Sequence, residues 1–248
     1  MSEDLSILSR TANPPDLTLS YGDHADQIAD IRYGNKGSEL PLVVLIHGGF
    51  WKPEYDRAHA EAMSCALAEA GWTTLTLEYR RVSGEPDVTL DDVMSAVTTL
   101  PARVERHNGQ VVLIGHSAGG HLVLWAAARC AQLGLSVALS GVLALAPAAD
   151  LQLAHAFNLG DGAVLRFLGV DPLHRSDVNP MCLPAPLTVT TILQGEDDEI
   201  VPPTVSTSYC AAFPATRLVS LPNSGHFALI DPATAAWEVL LRELQAFG

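Results

Sequence analysis

Residues Val111 to His121 read VVLIGHSAGGH: four apolar residues, a glycine, one hydroxyl, then two glycines opening a second apolar run. A run that stops at glycine and restarts as a glycine-flanked helix serves two chemistries. One cradles a dinucleotide pyrophosphate with G-x-G-x-x-G. The other raises a serine above a sheet with G-x-S-x-G. The residue two after Gly115 is Ser117, so the first pattern fails at its second glycine. The second fits at every position. The stretch therefore reads as strand, tight turn and helix, with Ser117 at the corner.

Working outward, further apolar runs rich in Val, Leu, Ile and Thr lie at 42–46, 72–77, 142–146, 187–193 and 216–221, beside 111–114. Most lack polar alternation, as expected of strands buried on both faces of a parallel sheet. Helical patterns separate them. Residues 56–70 follow Asp56 as N-cap and end before Gly71. In 90–107 Val93, Met94, Val97, Leu100 and Val104 keep helical spacing, although Pro101 should interrupt it. Residues 118–133 are apolar nearly all round, which predicts a central, buried helix. Near the end, Asp231-Pro232 predicts an N-cap followed by proline at N1, before the stripe Trp237, Leu240, Leu241 and Leu244. This alternation means an α/β fold with a mostly parallel central sheet, helices on both faces and a single domain over 1–248. Residues 16–34 should add one or two antiparallel edge strands. The stretch 151–184 resists the alternation, and a connection this long is usually functional. We read it as a small cap or lid inserted over the site.

Composition narrows the function. The chain has 248 residues, enough for one sizeable core, with 48% hydrophobic and 17% charged residues. Its net charge is −14 and it holds two lysines, Lys36 and Lys52, which argues against nucleic acid or an anionic membrane surface. The N-terminus has no apolar core of a signal peptide and no segment reaches a membrane span, so the expectation is a cytoplasmic protein. Cys65, Cys130, Cys182 and Cys210 form no C-x-x-C pair, so neither zinc ligation nor a disulfide framework is expected.

A serine hydroxyl is a weak nucleophile and needs a base, a group to orient that base, and an oxyanion hole. Each has a candidate after a predicted strand. QGEDDEIVPP follows 187–193 and offers Asp198 as the acid, with Asp197 as its competitor. PNSGHF follows 216–221 and offers His226 as the base. Backbone N–H groups for the hole should come from Ala118 and from His47-Gly48-Gly49-Phe50-Trp51, HGGFW, where Gly49 and Phe50 are the candidates. Phe50 and Trp51 follow those groups directly, so they are the candidate substrate-binding rings. His47 should tie down its own loop, and His116 and His121 flank the corner.

The stretches HGGFW, GHSAGGHL (115–122), QGEDDEIVP (194–202) and SGHFALIDP (224–232) resemble the α/β-hydrolase superfamily, whose triads run in the order Ser, Asp, His. Within it they are similar to the HGG-type esterases that include the kynurenine formamidases, or arylformamidases. Formamidases of animals carry Tyr where this chain has Phe50. The resemblance implies a serine hydrolase without metal or organic cofactor, a monomer or homodimer, acting on a small carboxylic ester or aryl formamide through an acyl-enzyme. The alternative from another class is a hydrolase-fold ligand receptor or scaffold with little turnover.

Overall fold

The computed structural model describes residues 3–133 and 137–248. Its eight strands are β1 (Leu17–Ser20), β2 (Ile28–Arg32), β3 (Leu42–Ile46), β4 (Thr74–Leu77), β5 (Val111–His116), β6 (Leu139–Leu145), β7 (Thr190–Gly195) and β8 (Arg217–Leu221). They form one sheet in the order β1-β2-β4-β3-β5-β6-β7-β8. The pairs β1–β2 and β2–β4 are antiparallel, and every later pair is parallel. β5 thus lies in the middle, and its C-terminal end carries the serine corner.

Side chains alternate across a strand, so a strand buried on both faces feeds two cores. β3 does so: Leu42, Val44 and Ile46 enter one cluster, Val43 and Leu45 the other. The first cluster packs against α2 (Pro86–Thr99) and α3 (Ala118–Leu133), and the second against α1 (Glu61–Glu69) and α7 (Ala235–Gln245). The sheet therefore has helices on both faces. α3 is buried through most of its length, as its all-round apolar sequence requires.

Several element ends differ from the sequence reading, each for a local reason. β6 starts at Leu139, three residues before the apolar run, because small Ser140 and Gly141 give no pattern, yet Leu139 and Gly141 pair with β5 across a bulge. β7 starts at Thr190, leaving Leu187 and Val189 exposed ahead of it. The helix expected over 90–107 begins at Pro86, its first-turn proline, and ends at Thr99; Pro101 opens a separate 3-10 turn. Asp56 caps a 3-10 turn, accepting from the Ala58 N–H at 2.9 Å, and α1 follows at Glu61. Asp231 is not the N-cap of the last helix. Its carboxylate binds the Arg10 guanidinium and the Ala233 N–H, which makes a local turn, and Thr234 precedes the helix instead.

Between β6 and β7 lies the irregular insertion, with α4 (Leu151–Ala156) and α5 (Leu159–Leu168) followed by short 3-10 turns. Its end is tied to α3. His121 Nε2 reaches the Val178 carbonyl at 2.9 Å, and Trp125 Nε1 donates to Asp177 O at 2.9 Å.

The corner between β5 and α3 tolerates no bulk. A Cβ on Gly119 would lie 2.0 Å from the Ile46 carbonyl oxygen and 2.5 Å from that of His47. Gly119→Ala should therefore cost about 3 kcal/mol or more, a fall in Tm of roughly 6–12 °C in a thermal melt. An unchanged Tm would mean that β3 and α3 are not packed this closely.

Candidate active site

Ser117 sits between the last residue of β5 and the first of α3 with φ 58°, in the left-handed region that non-glycine residues rarely adopt. The position is held from both sides. The Ser117 N–H donates to Leu145 O at 2.8 Å, and the Ser117 carbonyl accepts from His121 N and Ala148 N at 3.1 Å each. Ala118 opens α3, where first-turn N–H groups have no helical partner.

The loop after β3 reaches the same place. Gly48 lies so close that a Cβ there would come within 3.0 Å of Ser117 Cβ. Gly49, Phe50 and Trp51 follow with φ of 109°, 53° and 54°. Among the described residues no acceptor pairs with the N–H of Gly49, Phe50 or Ala118. His47 ties the loop down: its Nδ1 reaches Gly48 O at 2.8 Å and its Nε2 the Glu78 carboxylate at 3.2 Å. Tyr79 stacks on that ring at 4.4 Å and donates its hydroxyl to His47 O.

Asp198 and His226 are brought together from the loops after β7 and β8. His226 Nδ1 lies 2.7 Å from Asp198 Oδ2. The other carboxylate oxygen, Oδ1, accepts from Ile200 N and Val201 N at 2.9 and 2.8 Å, and Gln194 Nε2 donates to Oδ2 at 3.2 Å. Both residues are buried. Asp197, by contrast, is exposed and its side chain points away into a surface cleft with Asp4 and Asn223. It is Asp198 whose carboxylate meets the imidazole.

Comparison with known proteins finds esterases of similar sequence or fold. The BD-FAE family model matches residues 30–145. Esterase B from Lactobacillus rhamnosis superposes with a TM-score of 0.78 at 21% identity, covering 98% of this chain and 89% of that one. The chain has an α/β-hydrolase fold. Among curated relatives in Mycobacterium tuberculosis, the probable carboxylic ester hydrolase LipM is 29% identical over 135 residues, 46% of this chain and 31% of that protein. Esterase LipQ is 25% identical over 86% of this chain and 60% of its own length. The chain spans less than two thirds of the length of the curated relatives it matches.

The insertion packs on the HGGFW loop. Trp51 stacks flat on Phe167 of α5 at 4.6 Å and meets His121 edge-on at 5.2 Å. Phe50 lies over Gly160, where a Cβ would strike its ring at 2.7 Å. A cleft of 340 Å³ opens between loop and insertion, with Lys52, Glu54, Ser83 and Arg166 at its wall. Both rings line it, but Trp51 is only 5% exposed and is fixed by packing, whereas Phe50 is half-buried. Ser117 is 3% exposed and does not line this cleft. Among the described residues no cluster of three His, Cys, Asp or Glu side chains is placed to hold a metal ion, and no helix is long and apolar enough to cross a membrane.

Two neighbours of these residues escaped the sequence reading. His59, just before α1, places its Nε2 2.9 Å from His116 Nδ1. Glu3 reaches the loop of His226, 223 residues away. Neither lies in a motif, so no local pattern could have revealed them.

Three rings beside the site are buried and uncharged. Burial, with His47 and His226 adding, pushes His59 down to about 3. Burial pushes His121 down to about 4, and burial with His226 and His59 takes His116 well below 6.5. Each ring binds a proton near pH 6.5 when the chain is unfolded but not when it is folded. Their contribution is therefore full above about pH 6.5 and is lost as pH falls toward the folded values, at about 1.4 kcal/mol per ring per pH unit. Tm should be level between pH 7 and 8 and drop by about 10 °C or more by pH 5. A melt that is level down to pH 5 would contradict neutral burial of these rings.

Proposed function

We propose that this chain is a serine hydrolase of small carboxylic esters, with Ser117 as nucleophile, His226 as general base and Asp198 as its orienting acid. The observation that carries the reading is the 2.7 Å contact between His226 Nδ1 and Asp198 Oδ2, in a molecule whose left-handed serine corner stands beside an HGG loop. The carboxylate can only accept there, so Nδ1 carries the proton and Nε2 keeps a lone pair to take the proton from Ser117 Oγ. The hydroxyl oxygen attacks the ester carbonyl, and the N–H groups of Gly49, Phe50 and Ala118 stabilise the oxyanion that forms. Collapse expels the alcohol, protonated by His226, and leaves an ester on Ser117. Water, deprotonated by the same imidazole, releases the acid. The esterase names of LipM, LipQ and Esterase B support an ester as the substrate. An aryl formamide is the finer possibility, since formyl is the smallest acyl group the same site would accept.

The insertion 151–184 serves in this reading as a cap that sets substrate range. We place the protein in the cytoplasm as a single domain, a monomer or homodimer. One observation favours the second reading, a ligand receptor with little turnover: Ser117 is almost wholly buried. A burst of p-nitrophenol, equal to the enzyme and followed by steady turnover, supports the hydrolase, and no burst supports the receptor.

On p-nitrophenyl acetate, Ser117→Ala and His226→Ala should each lower kcat by about 10⁴-fold or more, and the double variant should be little worse than either, because the members act as a unit. Asp198→Asn should cost less than either, and Asp197→Asn should be silent. Damage from Asp197→Asn alone would refute the choice of acid. A panel of p-nitrophenyl esters beside N-formylkynurenine, with kcat/KM for each, ranks ester against formamide.

Phe50 predicts acyl preference. With its ring against Gly160, a fixed wall should make acetyl preferred over butyryl by about tenfold, since a surplus methylene costs roughly 1–3 kcal/mol. Phe50→Ala should relax that ratio while its backbone N–H remains. Efficient turnover of octanoyl esters by the parent would contradict the wall.

A further inference from the structure

The peptide of His226 is gripped on both sides by side chains remote in sequence. Its N–H donates to Glu3 Oε1 at 2.6 Å, and Glu3 Oε2 accepts from Phe227 N at 3.5 Å. Its carbonyl lies 3.1 Å from His116 Nε2, and the two imidazoles sit 4.4 Å apart, centroid to centroid. Behind His116 stands His59, Nε2 to Nδ1 at 2.9 Å.

Hydrogen-bond rules fix every proton in this chain. A carbonyl oxygen only accepts, so His116 Nε2 carries the hydrogen. A neutral ring then has its lone pair on Nδ1, so the His59 Nε2–H must donate to it. His59 Nδ1 ends the chain as a buried lone pair with no partner among the described residues. An orphaned buried acceptor is a cost that calls for a reason. Burial keeps both rings neutral, so the arrangement does not titrate away in the working range. The Glu3 side is anchored too. Ile7 is buried in the core beneath, and Arg10 holds Asp231 just past the loop. Gly225 leaves the space Glu3 occupies, since a Cβ there would stand 2.5 Å from the carboxylate.

We propose that His116 and Glu3 are positioning residues that clamp the peptide bearing His226, with His59 locking His116 in the donating tautomer. The inference rests on His226 being the general base. It explains why His116, which directly precedes the nucleophile, is a histidine: one ring must donate on one side and accept on the other. A loop holding a base has only its backbone to fix where the imidazole begins, and misplacement of a base by an ångström costs rate rather than binding. Glutamine, uncharged like the neutral ring, offers both a donor and an acceptor in place of His116.

Two readouts test the clamp. One is kcat and KM on p-nitrophenyl acetate, counted per active site from the burst. The other is the downfield proton resonance of His226 Nδ1–H, read in the folded protein whether or not substrate turns over. In His116→Leu, kcat should fall between about 10- and 100-fold with KM within about twofold, and the resonance should broaden or vanish. His116→Gln should recover kcat to within about threefold of the parent, and Glu3→Gln should do so where Glu3→Ala does not. His59→Phe should weaken the resonance with the ring volume kept. If His116→Leu does not fold, Glu3→Ala at the partly exposed terminus carries the same test. Unchanged kcat per active site and an unchanged resonance in His116→Leu and Glu3→Ala overturn the clamp, even if Tm falls. Hydrolysis that survives Ser117→Ala overturns the hydrolase reading instead, and the resonance then decides the clamp by itself.

Discussion

A serine at φ 58° gives up about 1–2 kcal/mol relative to the right-handed backbone, and it stays there only because its surroundings allow no other conformation. Its N–H is taken by the strand beside it and its carbonyl by the helix it begins and by Ala148. The turn is possible because α3 crosses within contact of the β3 carbonyls, at a glycine. The same crossing brings the HGG loop onto Ser117. One steric constraint therefore sets the proposed nucleophile, the start of the helix and the approach of the proposed oxyanion donors together.

The other arm of the site reaches it by a different route. Asp198 is buried with four hydrogen bonds, so its orientation is set by its own loop before it meets His226. A carboxylate oxygen that accepts from Nδ1 holds the imidazole in one tautomer. His226 gains further order from contacts that span the whole chain, to Glu3 and to His116. The insertion rests on Trp51 and Phe50, so the rings of the HGGFW loop are held by its packing.

The sheet and its flanking helices were legible because burial on both faces leaves unbroken apolar runs, as in β3, and because an all-apolar helix such as α3 has only one place to go. Ends were less legible where pairing is carried by backbone alone, as at Gly141, or where a side chain found a distant partner, as Asp231 did with Arg10. The meeting of Asp198 with His226 was legible because each stands in a short motif just after a strand. The left-handed run through Phe50 and Trp51 was not, since nothing in an aromatic residue announces φ above zero. His59 and Glu3 were invisible for the plainest reason: their partners lie 57 and 223 residues away.

The most direct test of the central claim is covalent labelling with a fluorophosphonate, followed by peptide mapping. Because Ser117 Oγ is the nucleophile in this account and His226 its base, one equivalent of label should appear, on the peptide carrying Ser117, and His226→Ala should slow its appearance by orders of magnitude. Label on another residue, or a rate indifferent to His226, would contradict it.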